Sequence, residues 1–142
     1  MPIQFFFSGV KIVLSERKRL KLFIEGMLKR ENRKLISLSI VFCTDKYLLE
    51  INRQYLGHDY YTDIVTFNLA EDNEFIEGEI YISVDRIREN ALINLVTTNH
   101  ELHRVLLHGI LHLCGYKDKL KSEKDTMTRL ENHMLQKYLG FT

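Results

Sequence analysis

Residues 108–118, HGILHLCGYKD, constrain this chain more than any other stretch, because they set two histidines four apart inside its most apolar helical pattern. On an α-helix, side chains at i and i+4 share a face with Cβ atoms about 6 Å apart, so both imidazoles reach one cation. Gly115 follows His112 by three residues, where glycine takes the left-handed conformation that turns a chain back at a helix C-terminus. That reversal returns Asp118 towards the histidines. A lone histidine on an apolar helix is ordinarily a core residue with a satisfied hydrogen bond. Two in a dry place each need a partner, and a shared ion serves both at once. His108, His112 and Asp118 are therefore the candidate metal ligands, at the C-terminal end of a central helix.

The same offsets exclude a familiar chemistry. Zinc proteases with HExxHxxGxxH use the glutamate after the first histidine as general base, and here that position is Gly109. The scaffold of a metal hydrolase is present without the protease's base. Around it the periodicity predicts four strands and five helices. Strands are expected over residues 3–7, over 35–42 with Ile36, Leu38, Ile40 and Phe42 on the buried face, over 63–69, and over 79–84 after an acidic turn at 71–78. Helices are expected from an N-cap at Ser15 to about Lys29, from Thr44 or Asp45 towards Tyr55, from Asp85 through Ala91, from a capping box of Thr98 and Glu101 through His112, and from near Ser122 to Gly140. The metal-bearing helix buries Leu102, Val105, Leu106, Leu107, Ile110 and Leu111 nearly all round. The last helix is expected to bury Met127, Leu130, Met134 and Tyr138.

At 142 residues, 45% hydrophobic and 27% charged, the chain suits one domain over 1–142. A net charge of +1 sets up no global field for nucleic acid. Residues 11–34, however, hold nine Lys or Arg against three Glu, which reads equally as a backbone-binding face or as the solvated side of an amphipathic helix. Cys43 and Cys114 stand apart, so neither a disulfide framework nor a thiolate zinc site is indicated. The aromatic run at 5–7 is too short for a signal sequence and no stretch is long enough to span a membrane, which makes the cytoplasm the expected compartment.

Three separated segments carry a resemblance. His108, Gly109, Leu111, His112, Leu113, Gly115 and Tyr116 match, position by position, the HGxLHLxGY run of the YbeY-type endoribonucleases, bacterial ribosomal RNA maturation factors. Met127 and Glu131 fit that family's Met-xxx-Glu. Asn52, Tyr55 and Gly57, then Thr62, Asp63 and Phe67, resemble its LNxxYRGKD and TDVLSF segments, and Gly78, Glu79 and Ile80 its Gly-Asp-Ile. The resemblance implies a zincin-like α+β fold with a mixed sheet. It also implies a single-strand-specific, metal-dependent endoribonuclease acting at the 3′ end of small-subunit ribosomal RNA and in ribosome quality control. One zinc per chain is the implied cofactor, with another divalent metal as an option, and the implied partners are ribosomal RNA, the small ribosomal subunit and ribosome-assembly proteins.

The sequence departs from that family twice. Asp118 stands where a third histidine is usual; aspartate is a competent zinc ligand, but it lowers the charge of the site by one and favours Mn²⁺ or Fe²⁺ more than three imidazoles would. Leu56 stands where the family has an arginine tied to activity. Arg53, three residues earlier, is a candidate substitute. With no glutamate at 109, the base is a hydroxide on the ion, a carboxylate in another segment, for which Asp63 and Glu79 are the candidates, or there is none. The alternatives are an RNA-binding ribosome-assembly factor with a structural metal and, weakened by Gly109, a metalloprotease.

Overall fold

The computed structural model describes residues 2–140; Met1, Phe141 and Thr142, which belong to the domain expected over 1–142, lie outside the described residues. Nine elements follow in order: β1 (Ile3–Phe7), α1 (Arg17–Arg30), β2 (Lys34–Cys43), α2 (Asp45–Leu56), β3 (Ile64–Asn68), β4 (Phe75–Ser83), α3 (Val84–Ile93), α4 (Thr98–Leu113) and α5 (Lys121–Leu139). The strands form one mixed sheet in the order β1-β2-β4-β3. β2 is parallel to both β1 and β4, while β3 runs antiparallel to β4. This is an α+β fold of four strands and five helices, as expected.

Alternation along the strands assigns the two faces of the sheet. Leu38, Ile40 and Phe42 of β2 stand beside Gly78, Ile80 and Ile82 of β4, and all of them face the main core with α1, α4 and α5. The intervening residues face the other way, where Cys43, Val65, Phe67 and Tyr81 make a small cluster with Leu48 and Ile51 of α2. α4 is the central helix: ten of its sixteen residues are buried, including Leu102, Leu106, Leu107 and Ile110. Removing the side chain of one such leucine costs about 2–5 kcal/mol. Among the described residues, no helix is long and apolar enough to cross a membrane.

The expected boundaries shift in five places. A bulge between Leu35 and Ser37 breaks the alternation of β2, so Ile36 is 53% exposed and not part of the core. β4 begins at Phe75 and not at Glu79, because residues 75–78 already pair with the start of β2 and the end of β3. α1 starts beyond Glu16, which sits at φ 53 without a side-chain cap, so Ser15 does not cap it. Thr97, not Thr98, caps α4 by accepting from His100 N–H. α5 begins at Lys121 with the Glu123 carboxylate accepting from Leu120 N–H at 2.9 Å, and it buries Leu135 where Leu130 and Met134 are only half-buried.

Candidate metal centre

The last two turns of α4 carry the histidine pair, and a backbone reversal supplies the third group. Gly115, at φ 98, takes the left-handed conformation. Gly115 N–H donates to His112 O at 2.9 Å and Tyr116 N–H to Leu111 O at 3.1 Å, the paired bonds with which a helix end folds back on itself. Three residues on, Asp118 lies beside both imidazoles. His108 Nε2 and His112 Nε2 are 2.9 Å apart, and Asp118 Oδ2 is 3.3 Å from each.

The far side of each imidazole decides what this triangle can do. His112 Nδ1 is 2.9 Å from Tyr116 O, a carbonyl that only accepts, so the ring carries its proton on Nδ1 and turns an Nε2 lone pair inwards. His108 Nδ1 is 2.6 Å from Glu131 Oε2, which acts the same way. Three electron-pair donors thus converge without an intrinsic donor proton among them, which is costly unless a cation lies between them. Tetrahedral ligands at zinc distances stand about 3.3 Å from one another, so the spacing suits a divalent ion. The residues fit a metal: two imidazole nitrogens and one carboxylate oxygen, a donor set usable by zinc and by neighbouring divalent metals.

Electrostatics favour positive charge at the same point. Burial pulls the His108 imidazole down, but its bond to Glu131 and the charges of Glu131, Asp118 and Asp63 outweigh that and hold it above its ordinary value. Burial also raises the Asp63 carboxyl, against the opposing pull of His108. Glu131, 7% exposed on α5, is held in turn by Arg104, whose Nη1 lies 2.9 Å from Oε1 and whose Nη2 lies 2.6 Å from Asn132 Oδ1. Sequence reasoning placed Glu131 in a motif and gave it no role. The signal was there in its spacing, since Met127 and Glu131 fall on one buried face of α5.

The triangle opens into a cavity of about 310 Å³ lined also by Asn52, Leu56, His58, Tyr60, Asp63 and Thr66. A larger cavity of about 790 Å³ lies at the N-terminus of α4, among Phe7, Lys11, Ile12, Arg17, Arg88 and Asn99, and contains none of these groups. The candidate ligand residues are at the smaller one. Asp63, at the mouth of β3, is brought to the metal triangle. Glu79 is not: it faces the opposite side of the sheet and accepts from Tyr81 Oη at 3.1 Å. Arg53 is not in the cavity lining either, and its guanidinium is bonded to Asp59. Leu56 does line the cavity, so an apolar side chain occupies the place of the expected cation. His103 is a core residue with Nδ1 2.7 Å from Asn99 O, and Cys114 is buried with its thiol pushed up to about 11.

Gly109 has a structural reason. A Cβ there would approach Ile64 Cδ1 to 2.6 Å and Ile80 to 3.4 Å, so position 109 points at the sheet and a longer side chain would part α4 from it. Several basic side chains of the stretch at 11–34 make contacts within the molecule. Arg17 and Lys21 lie over Phe7 and Phe5, Arg19 over Tyr138, Arg33 bonds Cys114 O, and Lys34 pairs with Glu74.

Comparison with known proteins agrees with this geometry. The family model described as Endoribonuclease YbeY matches residues 10–139. A protein of Cytophaga hutchinsonii named Endoribonuclease YbeY is 44% identical over 133 residues, 94% of this chain and 93% of that protein. One of Parabacteroides distasonis with the same name is 41% identical over 135 residues, 95% and 94% of the two chains. The solution structure of a Thermotoga maritima protein superposes with a TM-score of 0.63 at 27% identity, covering 97% of this chain and 89% of that one.

Proposed function

The chain belongs to the YbeY family of endoribonucleases, and from that premise we propose that it is a metal-dependent hydrolase that cuts single-stranded RNA in the cytoplasm. Its substrate in this reading is the 3′ end of small-subunit ribosomal RNA, met on the small ribosomal subunit during maturation and quality control. The observation that carries the reading is the convergence of His108 Nε2, His112 Nε2 and Asp118 Oδ2 within 3.3 Å of one another. These three atoms would hold zinc, which supplies Lewis acidity against the phosphoryl oxygens and lowers the pKa of water.

The remaining chemistry belongs to the chain's own groups. Glu131 and Tyr116 O fix the imidazole tautomers that keep both Nε2 lone pairs inward. Asp63, raised in proton affinity by burial and lining the same cavity, takes the proton of the attacking water. Arg53 is assigned the phosphate contact that Leu56 cannot make. Its exposed pairing with Asp59 is of the kind worth about 0–1 kcal/mol, weak enough to be exchanged for a phosphate. Glu79, facing the far side of the sheet, takes no part. The Gly109 position points into the sheet, which leaves a peptidase without its base.

The test is metal content by elemental analysis of wild type and His112→Ala, with cleavage of a ribosomal RNA fragment assayed on both. About one metal per chain and cutting by wild type, with both lost in the variant, is the expected result. A second reading, a ribosome-assembly factor with a structural metal, draws on Leu56 in the cavity wall, and metal-loaded wild type that leaves RNA intact with and without ribosomes would put it first. Arg53→Ala should raise KM for RNA, and an unchanged KM would remove Arg53 from the site.

A further inference from the structure

From the last turn of α2 to the start of β3 the chain presents several exposed rings, and they are not equivalent. Tyr55 packs edge-on against Phe67 at 6.0 Å between ring centroids, and Tyr61 carries the Arg86 guanidinium at 5.0 Å. His58 and Tyr60 instead stack on each other, 5.1 Å apart with 19° between planes, and the Tyr60 hydroxyl meets His58 Nδ1 at 3.0 Å. Both line the cavity that contains His108, His112 and Asp118.

A pair of rings on a loop without regular structure would ordinarily swing. These two are pinned by one residue. Asn52, on α2 and 1% exposed, donates from its side-chain Nδ2 to Tyr60 O at 2.9 Å, and its backbone carbonyl accepts from His58 N–H at 3.1 Å. Burying an amide is costly unless it is bonded, and this one is bonded to the loop it positions. Gly57, left-handed at φ 66, makes the turn out of α2 that lets the loop fold back over Asn52. Tyr60 nevertheless leaves 56% of its surface open. The result is a preorganised, exposed aromatic platform beside a site for one phosphodiester.

We propose that the His58–Tyr60 stack is a platform for one unpaired base of the RNA whose scissile phosphate lies at the three ligand atoms. The inference rests on the endoribonuclease reading and names what that site recognises beyond the phosphate. Ring stacking serves any base, because every base has a π-face, so the platform confers little sequence preference. It does discriminate between strands. A base within a duplex is already stacked on both neighbours and must be extruded at a cost of a few kcal/mol, whereas a base in a loop or tail is available. A cavity of about 310 Å³ is at the lower end of small-ligand pockets and takes one nucleotide rather than a paired helix.

The experiment uses the full-length protein as purified, with its metal, and a short single-stranded RNA carrying 2-aminopurine. Its fluorescence on mixing is followed before turnover, and steady-state cleavage is measured on the same RNA and on its duplex. Wild type should quench the fluorophore. Tyr60→Phe, which keeps the ring and loses the hydroxyl, should bind within a few-fold of wild type. Tyr60→Ala should bind roughly 10- to 100-fold more weakly, raise KM more than it lowers kcat, and narrow the preference for single strand over duplex. Equal binding and equal quenching by Tyr60→Ala and wild type would overturn the proposal, whether or not RNA is cut. Quenching that depends on the Tyr60 ring in a protein that cuts nothing would support the platform and sink the nuclease reading, so the two failures are distinguishable.

Discussion

Glu131 is the residue whose function depends most on geometry. Its carboxylate spans Arg104 on one side and His108 Nδ1 on the other, so it sets both the tautomer and the rotation of the first candidate ligand. Glu131→Gln should therefore keep the fold and weaken metal binding by about 10- to 100-fold. Competition with a chromophoric chelator measures this, and unchanged affinity would mean that His108 is oriented by other contacts. His103, on the same helix, behaves differently. Burial holds its imidazole below the ordinary value, and it stacks on Tyr138 with centroids 5.2 Å apart. The unfolded chain then takes up the proton first as pH falls, so this residue removes stability below about pH 6.5 and has no pH-dependent effect well above it. In urea denaturation from pH 8 to pH 5, the stability difference between wild type and His103→Phe should be constant above neutrality and move in favour of the variant below it. A difference that stays flat over the whole range would contradict the assignment.

At the scale of elements, the contact between α4 and the sheet is set by missing side chains. Gly109 meets Ile64 and Ile80 where a Cβ would come to 2.6 Å, and a Cβ at Gly78 would come to 3.0 Å from Leu113 and Leu38. Gly109→Ala should destabilise the protein by about 1–3 kcal/mol through overpacking, despite alanine's better helix propensity. Thermal unfolding of the variant would decide it, since a gain in stability would mean that the Ile64 side chain yields freely. The same contact explains which elements were legible in the sequence. α1, with its apolar stripe, and α4, apolar nearly all round between its cap and Gly115, could be read within a turn of their ends. The start of β4 could not, since Glu77 and Gly78 look like turn residues and become strand only by pairing with β2 and β3. Nor could the exposure of Ile36, because a bulge is a relation between two strands and leaves no mark in one.

Across the whole molecule, the grouping of the three candidate ligand residues was readable because it is local: one helical turn and one glycine reversal carry all of them. What each of the more distant candidates does depends on tertiary placement. Glu131 comes from another helix, Asp63 reaches the cavity from the edge of β3, and Glu79 misses it because its strand position faces α2. The basic stretch at 11–34 keeps its two readings, since Arg17 and Arg19 lie over rings and Arg33 bonds a carbonyl, contacts that leave the positive charge in place, while Lys34 pairs with Glu74. This bears on how RNA would be held. With a net charge of +1 and no Lys or Arg among the residues lining the metal cavity, few backbone phosphates are neutralised where the proposal places the RNA. Single-strand binding loses affinity with salt at a slope of about −0.7 per phosphate neutralised, so the affinity for a short single-stranded RNA between roughly 50 and 200 mM salt should follow a slope no steeper than about −2. A slope near −5 or beyond would require several more cations at the interface, and charge reversal at Lys18 and Lys29 would then show whether α1 provides them.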